Sequence, residues 1–155
     1  MVKEDATKHL EFIQNVITRM ASNSFLLKGW TVTLVAALFA LAAQNTNPGF
    51  VVLAFFPAIA FWILDAFYLR QERLFRKLYD DIRAKNEDII QSEGPFSMNT
   101  EPFKDKVESW RDIMFSPTLR IFYVMIILTI VVLAITFFVK SDPCILYLDH
   151  YHQFR

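Results

Sequence analysis

Phe50-Val51-Val52-Leu53-Ala54-Phe55-Phe56-Pro57-Ala58-Ile59-Ala60-Phe61-Trp62-Ile63-Leu64-Asp65-Ala66-Phe67-Tyr68-Leu69 is a run of twenty residues that carries one charge, on Asp65. A bilayer core of about 30 Å takes roughly 20 apolar residues at 1.5 Å rise each, so this run has the make-up of a transmembrane helix. Phe25 to Ala43, with Lys28 inside it, and Leu119 to Val139, with Arg120 at its start, meet the same requirement. The 155-residue chain as a whole is 54% hydrophobic, and its 16 basic and 16 acidic side chains gather mainly outside the three runs. The pattern predicts an all-α membrane protein. Its parts are an N-terminal amphipathic helix (1–24), a transmembrane hairpin (25–69), a helical cytoplasmic segment (70–116), a third transmembrane helix (117–140) and an external tail (141–155).

Fourteen of the 16 basic residues lie before the first span or between the second and third, counting Lys28 and Arg120, and the hairpin 44–49 has none. By the positive-inside rule the N-terminus and the central block are expected in the cytoplasm, and the tail with Cys144, His150 and His152 outside. Ala40-Leu41-Ala42 also fits a signal-peptidase site. The amphipathic pattern of the residues before the first span favours a retained helix instead.

Leu10, Ile13, Val16, Ile17 and Met20 recur at helical spacing, so residues 7–22 read as an amphipathic helix, expected along the membrane surface. No Gly or Pro separates it from span one, and Leu10, Ile13, Ile17 and Met20 are candidates for a gating helix that passes movement to the inner mouth of a pore. The second span should continue as a helix from Arg70 to Ala84, supported by four-residue charge pairs such as Glu72 and Arg76. Ser92-Glu93-Gly94-Pro95 marks a turn. Thr100 is placed to cap a short helix with Phe103, Val107, Trp110 and Met114 on one face, and Ser116-Pro117 to start the third span.

Lys28 and Asp65 stand the same number of positions from a turn at residues 46 and 47. A tight hairpin brings them to one depth near the inner interface. A lone charge in the apolar region costs about 2.5 to 3.5 kcal/mol, so each gains by finding the other or by reaching water. Two readings follow, a snorkelling lysine with a structural salt bridge and a charge pair for gating or ion passage.

Small residues line span one at Gly29, Thr33, Ala36 and Ala40, and span two at Ala54 and Ala58, a pattern that favours close helix packing within the chain or between copies. Three helices enclose no aqueous path, so a channel requires a homo-oligomer. Arg70, Arg73, Arg76, Lys77 and Arg83 form a basic block where span two leaves the membrane, suited to anionic headgroups or to an anionic ligand. No catalytic residues and no metal ligands are expected: His9 stands alone, His150 and His152 flank Tyr151, and Cys144 has no basic neighbour to activate it. With zero net charge, duplex nucleic acid is not an expected partner, and the lipid bilayer is.

The stretches Arg19-Met20-Ala21-Ser22-Asn23-Ser24-Phe25-Leu26-Leu27-Lys28-Gly29-Trp30 and Phe61-Trp62-Ile63-Leu64-Asp65-Ala66-Phe67-Tyr68-Leu69-Arg70-Gln71-Glu72-Arg73-Leu74-Phe75-Arg76 resemble the small multi-span membrane effectors of bacterial anti-phage systems. The Hailong membrane effector is the more similar pattern, and the two-span CBASS effectors a looser one. The resemblance implies an oligomeric channel of the bacterial inner membrane that depolarises an infected cell. It also implies control by a nucleotide or oligonucleotide ligand made by a partner enzyme. The competing expectation is a non-conducting membrane scaffold that recruits a cytosolic enzyme through residues 70–116.

Overall fold

A computed structural model describes residues 2–45, 49–84 and 97–141. The turn at 46 and 47, the Ser92–Pro95 cluster, Lys85, Cys144, His150 and His152 lie outside the described residues. The fold is all-α, with three helices long and apolar enough to cross a membrane: Thr7–Gln44, Gly49–Ala84 and Pro117–Val139.

The first helix, α1, runs without interruption from Val2 to Asn45, 44 residues or about 66 Å at the α-helical rise. That is twice the thickness of a hydrocarbon core, so one end of α1 projects beyond the membrane as a stalk. The surface-lying helix expected over residues 7–22 is corrected here, because that segment continues the axis of span one. Its apolar face is turned into the chain. Ile13 and Ile17 are buried against Leu74, Leu78, Ile82, Phe103 and Val107, with Leu10 packed on the edge of the same cluster and Met20 half-buried. Each such burial is worth about 1.5 to 3 kcal/mol in water, enough to hold the segment against its own hairpin partner.

The second span is broken once. A short α2 (Gly49–Leu53) is followed by α3 (Phe55–Ala84), with Ala54 between them. Pro57 explains the break, because its ring collides with the carbonyl four residues earlier, that of Leu53, and supplies no N–H to it. The Ala54 amide still reaches Phe50 O and Val51 O, both at 3.2 Å, so the chain stays nearly helical through the kink. From there α3 runs on past Leu69 to Ala84, as the absence of a breaker predicts.

The segment leading back to the membrane forms two pieces where the periodicity suggests one. A 3₁₀ helix covers Glu101–Lys106, the chain extends at Val107, and α4 covers Trp110–Met114. Thr100 makes no side-chain cap, whereas Ser109 does: its Oγ accepts from the Asp112 amide at 3.4 Å and donates to Asp112 Oδ2 at 2.7 Å. The last helix, α5 (Pro117–Ser141), begins with Pro at its first position and takes its first turn bond from Arg120 N to Ser116 O, 2.9 Å.

Two apolar clusters build the interior. One joins the stalk to the 97–116 segment and the start of α5; the other joins Val35 and Ala42 of α1 to Val51, Ala54 and Ala58 of the second span and Ile130 of α5. Outward-facing positions of the spans carry Phe25, Trp30, Phe56, Phe67, Met125 and Phe138, each about half exposed or more. A wide apolar exterior above a mostly polar stalk surface is the arrangement that a bilayer stabilises.

Candidate functional site

Asp65 is fully buried near the level where the two clusters meet, and all three spans reach it. From α1 come Ser24 and Lys28, one helical turn apart and therefore on one face. Lys28 Nζ lies 2.6 Å from Asp65 Oδ2, Ser24 Oγ donates to Asp65 Oδ1, and Lys28 Nζ also donates to Ser24 Oγ at 2.9 Å. From α5, Tyr123 donates its phenol to Asp65 Oδ2 at 3.2 Å. Both carboxylate oxygens are thus bonded from within the chain. Thr31, one turn further along α1 and fully buried, turns its hydroxyl to Leu27 O at 2.8 Å.

Aromatic packing fixes the third span at this level. Trp62, one turn before Asp65 on α3, stacks on Tyr123 with ring centroids 5.7 Å apart and planes at 11°, and Phe115 meets Trp62 edge-on. The indole N–H donates to Met114 O at 2.9 Å, which secures the end of α4 to α3. The ring stack therefore packs directly against the polar junction through Tyr123.

The equal spacing of Lys28 and Asp65 from the turn brings the pair together, as the hairpin argument requires. Sequence reasoning missed Ser24, Thr31 and Tyr123. Ser24 had a signal, its four-residue offset from Lys28. Tyr123 had none, because span three is apolar on every side and offers no face to read.

The basic block does not converge on one pocket. Arg73 pairs with Glu108 at 2.9 Å, Arg70 Nε donates to Glu108 O at 3.4 Å, and Arg76 pairs with Glu72 at 2.6 Å, while Lys77 and Arg83 stand exposed along the stalk. Acids of the chain itself neutralise Arg73 and Arg76, while Arg70 is held by a backbone carbonyl. The backbone N–H of Glu108, followed by the Arg73 guanidinium, holds its carboxyl below the usual carboxylate range. His9, expected to be alone, is buried, and its Nε2 donates to Ser97 O at 3.0 Å, tying the stalk to the returning segment.

The small-residue faces part company. Ala54 and Ala58 are fully buried inside the chain, whereas Gly29, Thr33, Ala36 and Ala40 are exposed along α1. A Cβ added at Gly29 would meet nothing within 4 Å. Thr33 bonds its own helix at Gly29 O, 2.9 Å, so the face presents no unmet hydroxyl proton. Among the described residues no group of His, Cys, Asp and Glu could hold a metal ion.

No family model, no curated protein and no solved structure matches the chain. Fold and site define its class, a three-span helical membrane protein whose spans share one buried, charge-paired junction.

Proposed function

We propose that the chain is the subunit of a homo-oligomeric, channel-like effector of the bacterial inner membrane, acting in anti-phage defence by depolarising the membrane under the control of a nucleotide-type ligand. The observation that carries the oligomer is the bare small-residue face of α1, Gly29, Thr33, Ala36 and Ala40, in a subunit whose other small face is already covered. In lipid such a face gains little from burial as such and much from close backbone packing, which a second copy supplies. Conduction calls for that assembly, because the single subunit closes the Lys28–Asp65 pair internally and three helices enclose no path of their own.

The setting rests on the resemblance of residues 19–30 and 61–76 to anti-phage effectors. The orientation, N-terminus cytoplasmic and C-terminus external, rests on the distribution of basic residues. On that orientation the stalk and residues 97–116 face the compartment where a partner enzyme would release its nucleotide product. A ligand shifts such an assembly only by binding one of its states more tightly.

Purified protein in liposomes loaded with a potential-sensitive dye tests the reading. Ion flux that a nucleotide or oligonucleotide mixture raises or suppresses is the expected result. An intact oligomer that passes no ions under any ligand condition would replace it with the scaffold reading, in which residues 70–116 recruit a cytosolic enzyme.

A further inference from the structure

The positive charges of the stalk and the membrane edge are engaged unequally by the fold, and Lys77 and Arg83 stand exposed further along the stalk. Arg70, Arg73 and Arg76 are engaged by Glu108 and Glu72. Arg19, Arg111 and Arg120 are exposed, and among the described residues none has an ion pair or a side-chain hydrogen bond. Their level is set by the junction. Arg19 precedes Ser24 by five positions on α1 and Arg120 precedes Tyr123 by three on α5, which places both about 5 to 8 Å to the stalk side of residues that bond Asp65. Arg111 stands on α4, one turn before the Met114 carbonyl that accepts from Trp62.

Just beyond these arginines the lipid-facing surface begins, with Phe25 76% and Ile121 66% exposed. Phe115, also exposed, lies between Arg111 and Arg120 in sequence. The guanidinium groups therefore stand at the rim of the apolar band, at the depth of lipid phosphates, with their long stems free to extend towards them. Arg120 also sits in the first turn of a 25-residue helix, where the backbone dipole adds to its positive charge and no acid offsets it. We infer that Arg19, Arg111 and Arg120 form a collar that binds anionic phospholipid headgroups in the stalk-side leaflet. The apolar rim beside them selects a lipid over a free phosphate, because one molecule then satisfies both surfaces.

Full-length protein in nanodiscs of phosphatidylcholine with graded phosphatidylglycerol, followed by mass spectrometry of the lipids retained on gentle extraction, tests the collar. Wild-type protein should retain phosphatidylglycerol over phosphatidylcholine, and each Arg→Gln change should lower that preference roughly fivefold. A triple Arg→Lys variant should keep most of it, since the charge is retained. Arg73→Gln with Arg76→Gln should leave it unchanged, and millimolar inorganic phosphate should not displace the lipid. Wild-type preference in the triple Arg→Gln variant, or in all three single variants if the triple does not fold, would overturn the proposal. So would loss of preference in the stalk variant, or displacement by inorganic phosphate.

Discussion

Tyr123 of α5 donates to the same Asp65 oxygen that takes the Lys28 ammonium, so a single buried carboxylate holds all three spans. A hydrogen bond to a charged group contributes about 1.5 to 3 kcal/mol, and Tyr123→Phe removes it while leaving the stack on Trp62 in place. The variant should lose stability of that order in denaturant titration of the detergent-solubilised protein. An unchanged midpoint and slope would show that the phenol contributes nothing to the junction.

Lys28 and Asp65 should be energetically coupled. Removing one partner leaves the other unpaired, at a cost of about 3 kcal/mol, towards the low end of the usual range because the Lys28 side chain keeps 22% exposure. Asp65→Leu and Lys28→Met should each destabilise, and the two changes together should recover part of the loss. Additive effects in the double-mutant cycle would mean that the two charges act independently.

The stalk gives a contrast on a single helix. Ile13 is fully buried and Phe12 is 55% exposed. Ile13→Ala should cost about 2 to 5 kcal/mol through lost contacts and a residual cavity. Phe12→Ala should cost clearly less than Ile13→Ala, since about half of its surface is already exposed. A helix lying on lipid would respond to both changes alike.

What could be read from the sequence was what period, length and spacing encode: three spans, the run-on of α3 and the meeting of Lys28 with Asp65. The apolar stripe of residues 7–22 was equally legible, but a stripe does not say whether lipid or protein covers it. The register did. Extending the count from the turn that pairs residue 28 with 65 sets Ile17 and Ile13 beside the stretch that carries Leu74, Leu78 and Ile82. The break at Ala54 was written in Pro57, and the split between the 3₁₀ helix and α4 in Ser109 and Asp112, a better cap than Thr100. The approach of Tyr123 was hidden, because the rotation of a uniformly apolar helix is decided by its neighbours alone.

Glu108 makes the docking of the returning segment sensitive to acid. Its backbone N–H and Arg73 depress its pKa in the folded chain, so the contribution is fully present above the unfolded carboxylate value, about 4.3, and is lost as pH falls through the lower folded value. Hydrogen exchange over residues 101–114 should rise as the pH is lowered through that window, after correction for intrinsic rates. Glu108→Gln should remove the dependence.

The orientation has a direct readout in Cys144, the chain's one cysteine. An impermeant maleimide added to right-side-out membrane vesicles should label it. Labelling from the cytoplasmic face alone would reverse the topology assigned from the basic residues.

Whether copies meet on the bare face of α1 is settled most directly by cross-linking in the membrane. With Cys144→Ser to leave no other thiol, Ala36→Cys should give disulfide-linked dimers on mild oxidation. Cysteine at Ile130, fully buried in α5, should give none. Monomer throughout for Ala36→Cys, in native membranes at normal expression, would contradict the account.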